Sequence, residues 1–268
     1  MTPRKEPTKG RQVRQVWCWS GGGLPALDVH VGMWRALSEH GYEATAHCGT
    51  SAGAIVAAMA AAGRTPAWAE MMLRQIRDDD VRQHVPLWWL RLPWIDHILE
   101  PAPIAGVLRK LLPKTFWELE TELRVCCTDE LACEPAFRET GDLVSALMAS
   151  TAISGVWPPV DKRYSDGAAT ANLPLPPNWR DADELVLLVA RRSLRYPGQS
   201  VLTRLIRYMD MLAEDQVRDT IRTATRSGKR VTVLRPHFEP ERGLLHFEHD
   251  LIETAYEYAH DELARAGD

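Results

Sequence analysis

The sequence of 268 residues lacks any stretch of about eighteen uninterrupted apolar residues, so no transmembrane helix is expected. Cysteine is scarce: there are five, no pair has the Cys-x-x-Cys spacing, and Cys126 and Cys127 are adjacent. This argues against zinc-ribbon and thioredoxin-type sites and against a disulfide framework, and it favours a reducing, cytoplasmic location. A strong charge imbalance is also missing, since the formal net charge is −4. Nucleic acid is therefore not expected as a partner.

The first fourteen residues are rich in lysine and arginine and are expected to form a flexible, solvated tail, while residues 15–268 are expected to form a single domain. No apolar segment follows the basic residues before the glycines at 21–23, so no secretory signal is expected. Contact between the tail and anionic lipid head groups is the alternative interpretation.

Apolar periodicity and glycine turns divide the start of the chain into strand, helix, strand and helix, at residues 13–20, 25–40, 44–48 and 54–62. Further strands are expected at residues 123–128, 185–190 and 230–234, and further helices at 143–150, 201–226 and 251–266. In the helix at 201–226, one apolar stripe is formed by Leu202, Leu205, Ile206, Met209 and Leu212. Alternating strands and helices predict a mainly parallel sheet with helices on its faces.

The turn after the second strand reads Gly49-Thr50-Ser51-Ala52-Gly53, which is the Gly-x-Ser-x-Gly pattern of a nucleophile elbow. Such a turn exposes a serine hydroxyl between a strand and a helix, and its glycines let the helix approach the strand. The N-terminus of that helix would favour an anion developing at Ser51. A tight turn with an incidental serine is the alternative. An ordinary α/β-hydrolase fold is disfavoured, because its nucleophile follows several strands and Ser51 follows only the second.

Three consecutive glycines, Gly21, Gly22 and Gly23, end the first strand. Their amides can point into one concavity and bind an anion, whereas the spacings of a dinucleotide-binding loop and of a P-loop are absent. Because neighbouring parallel strands end at the same edge of a sheet, this loop is expected beside Ser51, where an oxyanion hole would be needed. A glycine-rich turn without a ligand is the alternative.

A third motif, Asp166-Gly167-Ala168, is a weak signal alone because Asp-Gly is a common turn sequence. It follows a segment, residues 149–159, whose composition no simple propensity explains.

The nine histidines are surface or packing residues in the simplest interpretation. His237, His246 and His249 come late enough in the chain to complete a catalytic triad, but no motif marks them. A metal site from His246 and His249 is weaker still, and no metal or cofactor is expected.

Three tryptophans, Trp88, Trp89 and Trp94, crowd a short segment that also contains two prolines. This segment could contact lipid head groups, cover an acyl channel or pack into the core.

Together, these motifs make the sequence similar to the patatin-like phospholipase family. The resemblance rests on the glycine loop at 21–23, the serine turn at 49–54, the Ala-Ser-x-Ala-x-x-Gly-x-x-Pro-Pro segment at 149–159 and the Asp-Gly-Ala motif at 166–168. It covers about residues 15–265. The family usually has Arg and Gly where this sequence has Pro25 and Ala26. The resemblance implies a three-layer α/β/α fold with a mainly parallel central sheet.

By this resemblance, Ser51 is the nucleophile and Asp166 its base, in a dyad that needs no histidine. The implied oxyanion hole consists of main-chain amides, and the implied supporting glycines shape the turns around the dyad. The oxyanion-hole amides are those of Gly21, Gly22, Gly23 and Ala52, and the supporting glycines are Gly49, Gly53 and Gly167.

The function implied by the family is that of a lipid acyl hydrolase of phospholipase A type, which cleaves carboxyl esters through an acyl-enzyme. Phospholipid or another acyl ester is the implied substrate, with peripheral membrane contact. A thioesterase or acyltransferase with the same nucleophile is one alternative, and a catalytically weak lipid-binding pseudoenzyme is another.

Overall fold

The computed structural model describes residues 13–86, 97–192, 201–239, 241 and 243–267 of the chain. Trp88, Trp89 and Trp94, for which lipid contact was one prediction, lie outside the described residues.

Nine strands are present in the described ranges. In chain order they are β1 (Gln15–Trp19), β2 (Ala46–Thr50), β3 (Glu122–Asp129), β4 (Glu134–Arg138), β5 (Tyr164–Asp166), β6 (Glu184–Leu188), β7 (Arg191–Arg192), β8 (Arg230–Leu234) and β9 (His237–Phe238). Seven of them form one sheet in the order β4-β3-β2-β1-β6-β8, with β5 also paired to β3, while β7 and β9 pair separately. The central strands run parallel, as predicted.

Two strands, β4 and β5, run antiparallel to β3 and were not expected. Both are short, and β4 is largely exposed, so neither carries the apolar run or the clear alternation that marks a strand in sequence. The prediction of a mainly parallel sheet is nevertheless confirmed.

Nine helices lie in the described ranges. They are α1 (Leu24–Glu39), α2 (Ala52–Ala61), α3 (Pro66–Leu73), α4 (Asp78–Val81), α5 (Ala102–Leu111), α6 (Leu143–Thr151), α7 (Ala168–Ala171), α8 (Val201–Thr225) and α9 (Asp250–Gly267). The five helices expected from periodicity are confirmed to within two residues at each end. Among the described residues, none of these helices is both long and apolar enough to cross a bilayer.

Helices cover both faces of the sheet, because each strand directs alternate side chains to opposite faces. In β1, Trp17 and Trp19 belong to the apolar cluster that contains α1, α2 and α9. Val16 and Cys18 belong to a second cluster, which contains the later part of α8. The two clusters define the three layers of an α/β/α fold, as the resemblance implied.

The part of α8 that packs against the sheet lies in the second half of the helix, after the apolar stripe expected at residues 202–212. Val217 and Ala224 are buried there, whereas Met209 and Leu212 are 53% and 65% exposed.

Candidate active site

Ser51 lies in the sharp turn between β2 and α2. Its backbone has φ 53° and ψ −125°, a conformation that a residue with a side chain rarely adopts and that costs energy. The residue is only 5% exposed. The surrounding structure must therefore hold this turn in place, as is typical of a functional turn.

Two glycines allow α2 to pack closely enough to form that turn. A Cβ atom on Gly53 would lie 2.7 Å from the carbonyl oxygen of Trp19 in β1, and one on Gly49 would lie 2.7 Å from the Cα of Ala54. Both distances are too short for a real side chain. The glycines at these positions are therefore required by the approach of helix to strand.

Ser150 fixes the backbone of Ser51, and sequence reasoning did not find it. The Ser51 N–H donates to the Ser150 hydroxyl at 2.8 Å, and that hydroxyl donates to the carbonyl oxygen of Cys126 at 2.5 Å. Ser150 is completely buried at the end of α6. The signal that could have found it is its place in the unusual segment at 149–159.

Asp166 is brought to Ser51 by the short strand β5, which lies against β3. The Ser51 hydroxyl donates to Asp166 Oδ2 at 2.7 Å, and the Ala168 N–H donates to Oδ1 at 2.8 Å. Residues 115 positions apart in the sequence thus form a direct hydrogen bond.

Burial raises the pKa of the Asp166 carboxyl from 3.8 to about 6, and the hydrogen bonds from Ala168 and Ser51 oppose this increase. A carboxylate with this pKa is still mostly ionised at neutral pH, yet it accepts a proton more readily than an exposed aspartate does. Asp166 can therefore receive a proton from the hydroxyl that contacts it.

The glycine loop follows β1 and lies beside Ser51, but its three amides are not equivalent. The Gly21 N–H donates to the Asn172 carbonyl oxygen at 3.0 Å, so it does not point to an oxyanion. This corrects the inclusion of the Gly21 amide in the oxyanion hole. No described residue accepts a hydrogen bond from the amide of Gly22 or Gly23. Ala52 is the first residue of α2, so its amide has no acceptor within the helix.

The late histidines are held at other places in the fold. His246 Nδ1 lies 2.8 Å from Asp78 Oδ2, and His249 Nδ1 lies 2.9 Å from Asp28 Oδ1. His237 lines the cavity that also contains Ser51 but is not hydrogen-bonded to Asp166. Within the described parts of the chain, no group of three or more metal-binding side chains could hold a metal ion.

A cavity of about 440 Å³ opens onto Ser51 and Asp166 and is also lined by Gly21, Gly22 and Gly23. Its walls are mostly apolar and include Ile153, Val189, Ala190, Val217 and Leu244. The cavity can therefore accept an aliphatic chain whose reactive group lies at the Ser51 hydroxyl.

Known sequences and solved structures are similar to this chain over much of its length. The family model described as patatin-like phospholipase matches residues 18–179. Uncharacterized NTE family proteins of Mycobacterium tuberculosis and Mycobacterium bovis are 31% identical over 174 residues, which is 59% of this chain and 43% of each relative. The match thus spans less than half the length of these curated relatives.

The fold is also seen in the crystal structure of VipD from Legionella pneumophila, with a TM-score of 0.50 and 14% identity. The superposition covers 95% of this chain and 67% of VipD, and it supports the three-layer α/β fold. The family match extends over more than half of the chain and includes both Ser51 and Asp166. This chain therefore belongs to the patatin-like phospholipase family.

Proposed function

We propose that this chain is a lipid acyl hydrolase of phospholipase A type, in which Ser51 is the nucleophile and Asp166 is the general base. The observation that carries the proposal is the 2.7 Å hydrogen bond between the Ser51 hydroxyl and Asp166 Oδ2. The strained turn at Ser51 supports it, because such strain is typical of residues that act on a substrate.

In the first half of the reaction, Ser51 Oγ attacks the ester carbonyl carbon and its proton passes to Asp166 Oδ2. The carbonyl oxygen becomes an oxyanion that accepts hydrogen bonds from the amides of Gly22, Gly23 and Ala52. When the tetrahedral intermediate collapses, the carbon–oxygen bond to the leaving alcohol breaks. The alcohol takes the proton from Asp166, and the acyl group remains on Ser51.

In the second half, Asp166 accepts a proton from a water molecule whose oxygen attacks the acyl-enzyme. Collapse of the second tetrahedral intermediate releases the carboxylic acid and returns the proton to Ser51. A dyad suffices for both halves, because the same carboxyl accepts and then returns one proton in each. His246 is hydrogen-bonded to Asp78 and His249 to Asp28, and these contacts away from Asp166 support a mechanism without histidine.

Labelling with a fluorophosphonate probe and hydrolysis of p-nitrophenyl decanoate test the proposal. We expect the wild-type chain to be labelled at Ser51, and both Ser51→Ala and Asp166→Asn to lose at least about 1,000-fold in kcat. Ser38→Ala and Asp261→Asn are matched controls, because both residues are exposed and lie on helices α1 and α9. Wild-type turnover in Asp166→Asn would contradict the dyad.

The proposal includes peripheral contact with a membrane from the cytoplasmic side, with Trp88 and Trp89 as anchors. We expect replacement of both by Ser to weaken liposome binding while hydrolysis of short soluble p-nitrophenyl butyrate is retained. Trp117→Ser is the control, since this tryptophan is 84% exposed and lies in a different segment. Equal loss of liposome binding and soluble activity would contradict an anchoring role.

A further inference from the structure

Three arginines converge on one glutamate at the cavity that contains Ser51. Glu214 lies on α8 and accepts hydrogen bonds from Arg235, which follows β8, and from Arg218, one helical turn later, at 3.0 Å. Arg191 of β7 is the third, with its Nε 4.0 Å from the same carboxylate oxygen. One negative charge therefore faces three positive charges.

The pairing with Glu214 leaves much of the hydrogen-bonding capacity of these arginines unused. Arg218 and Arg191 both approach the carboxylate through Nε, so their terminal Nη groups have no acceptor among the described residues. The Nε of Arg235 is buried and also lacks an acceptor there. Because a guanidinium carries five N–H donors, the cluster can bind another anion without giving up Glu214.

The accessible members of the cluster are those that line the cavity. Arg191 and Arg218 have side chains 43% and 55% exposed and lie on the wall of the same cavity as Ser51, whereas the Arg235 side chain is only 22% exposed. Asp210 lines this wall too and has an interaction of its own. Arg191, Arg218 and Arg235 outnumber Glu214 and Asp210, while the third carboxylate of the cavity wall, Asp166, is hydrogen-bonded to Ser51.

The cavity therefore combines two chemistries. Its walls near Ser51 are apolar, through side chains such as Ile153 and Leu244, and its rim carries the guanidinium groups. An amphiphile with an aliphatic chain and an anionic head fits both, because a phosphate can accept bidentate hydrogen bonds from guanidinium.

We propose that Arg191 and Arg218 form the binding site for the phosphate of an ester substrate's head group, and that Glu214 and Arg235 are positioning residues that hold these two arginines at the rim. This inference rests on the proposed function, because it assigns the phosphate to the leaving-group side of the bond that Ser51 attacks. A cluster that only attached α8 to the sheet would show no preference for a substrate charge.

The first test compares 1-decanoylglycerol with 1-decanoylglycerol 3-phosphate, two substrates that differ only in the phosphate. We expect Arg191→Gln and Arg218→Gln each to lower kcat/KM for the phosphate ester about 10- to 100-fold, mainly through KM. Hydrolysis of the neutral ester should change less than about 3-fold. Arg222→Gln is the matched control, because Arg222 lies on the same helix, pairs with Asp219 at 2.6 Å and does not line the cavity.

The second test measures binding without catalysis, by calorimetric titration of dodecyl phosphate and of glycerol 3-phosphate into Ser51→Ala protein. We expect Arg191→Gln and Arg218→Gln, in the Ser51→Ala background, to weaken dodecyl phosphate binding about 10-fold. Glycerol 3-phosphate should bind far more weakly, because it lacks the chain that fills the apolar walls. Equal binding of the two would identify a site for free phosphate esters and overturn the assignment to a lipid head group.

Two outcomes separate this inference from the proposed function. If neither ester is hydrolysed but dodecyl phosphate binding depends on the two arginines, the phosphate site stands and the hydrolase is overturned. If both esters lose activity equally in the arginine variants, or if dodecyl phosphate binding is unchanged, the phosphate site is overturned. In that case Ser51-dependent hydrolysis of the neutral ester would still support the hydrolase.

Discussion

The Asp166 carboxyl lies in the protein interior, and its hydrogen-bond donors among the described residues are the Ser51 hydroxyl and the Ala168 amide. An exposed carboxylate is stabilised by water and is a weak base at neutral pH. Burial removes most of that stabilisation, and the pKa of Asp166 rises to about 6. The same environment that makes the charge costly therefore makes the group a better proton acceptor.

This pKa predicts the pH dependence of hydrolysis. Only ionised Asp166 can accept the Ser51 proton, so kcat/KM for p-nitrophenyl butyrate should rise with pH and reach half of its plateau near pH 6. Initial rates between pH 4 and 8, corrected with Ser51→Ala protein at each pH, would measure it. A half-point near pH 4, the value of an exposed aspartate, would show that burial does not control this group.

Ser150 should affect turnover through the position of Ser51. Without its hydroxyl, the Ser51 N–H and the Cys126 carbonyl lose a buried partner, and we expect Ser150→Ala to lower kcat about 10-fold with little change in KM. Ser145→Ala is the control on the same helix, since the hydrogen bond of Ser145 to Asp142 is made by its main-chain N–H and not by its hydroxyl. An effect on stability with no change in kcat would leave Ser150 with a structural role only.

The sequence alone predicted some residues of the site and not others. Ser51 and Asp166 stand in local motifs, so each could be named, and their contact followed from the family resemblance. The Ser150 hydroxyl links Ser51, 99 positions away, to Cys126, 24 positions away, and the Gly21 amide is occupied by Asn172, 151 positions later. The segment at 149–159 marks Ser150 as unusual, but the partners in both contacts are distant in sequence, so the contacts themselves could not be predicted.

Among the secondary-structure elements, the close packing of α2 on β1 determines the geometry of the turn at Ser51. The contact is made at Gly53, where no side chain fits against the main chain of Trp19 and Ser20. A helix shifted outward here would carry Ser51 and the Ala52 amide away from Asp166.

Gly53→Ala should therefore reduce both stability and turnover. The added methyl group forces α2 outward, and we expect the free energy of unfolding to fall by about 1–3 kcal/mol and kcat by at least about 10-fold. Gly106→Ala in α5 is the matched control, because no atom lies within 4 Å of its Cβ position. That change should stabilise the protein by about 0.5–1 kcal/mol. Thermal melts and initial rates of both variants would show whether the damage is specific to the α2 contact.

Elements with strong periodicity were predicted, and short ones were not. The strands β1, β2, β3, β6 and β8 and the helices α1 and α9 have runs or stripes of apolar residues that local interactions already favour. The strand β5 has only three residues, and it exists because β3 offers it a hydrogen-bonding edge. That edge exists only once the sheet has assembled. The strand that contains Asp166 could therefore not be predicted from its own three residues.

In the whole molecule, the last helix supports the first. Helix α1 begins directly after the glycine loop and packs along α9. The buried Asp28 of α1 accepts hydrogen bonds from the amide of Glu248 and from His249, and the Leu24 amide donates to the Leu244 carbonyl. The loop beside Ser51 is thus fixed by residues from the end of the chain.

Burial of ionised Asp166 lowers the stability of the folded state, and this loss of stability should depend on pH. The pKa of Asp166 is higher in the folded chain, at about 6, than the value of 3.8 for an exposed aspartate. The folded state therefore binds the proton more tightly, and wild-type stability falls as pH rises from about 4 to 6. The difference between these two pKa values lowers the free energy of unfolding by at most about 3 kcal/mol above pH 6.

Asp166→Asn removes this cost while an amide can still accept from Ala168 and donate to Ser51 Oγ. We expect the inactive variant to melt several degrees higher than wild type at pH 7.5 and at nearly the same temperature at pH 4. Asp261→Asn, at a carboxylate 69% exposed, should show no such change with pH. A melting difference that stays constant from pH 4 to 7.5 would mean that Asp166 has the same pKa in both states. In that case burial would not raise the pKa of Asp166, and the fold would not explain its proposed strength as a base.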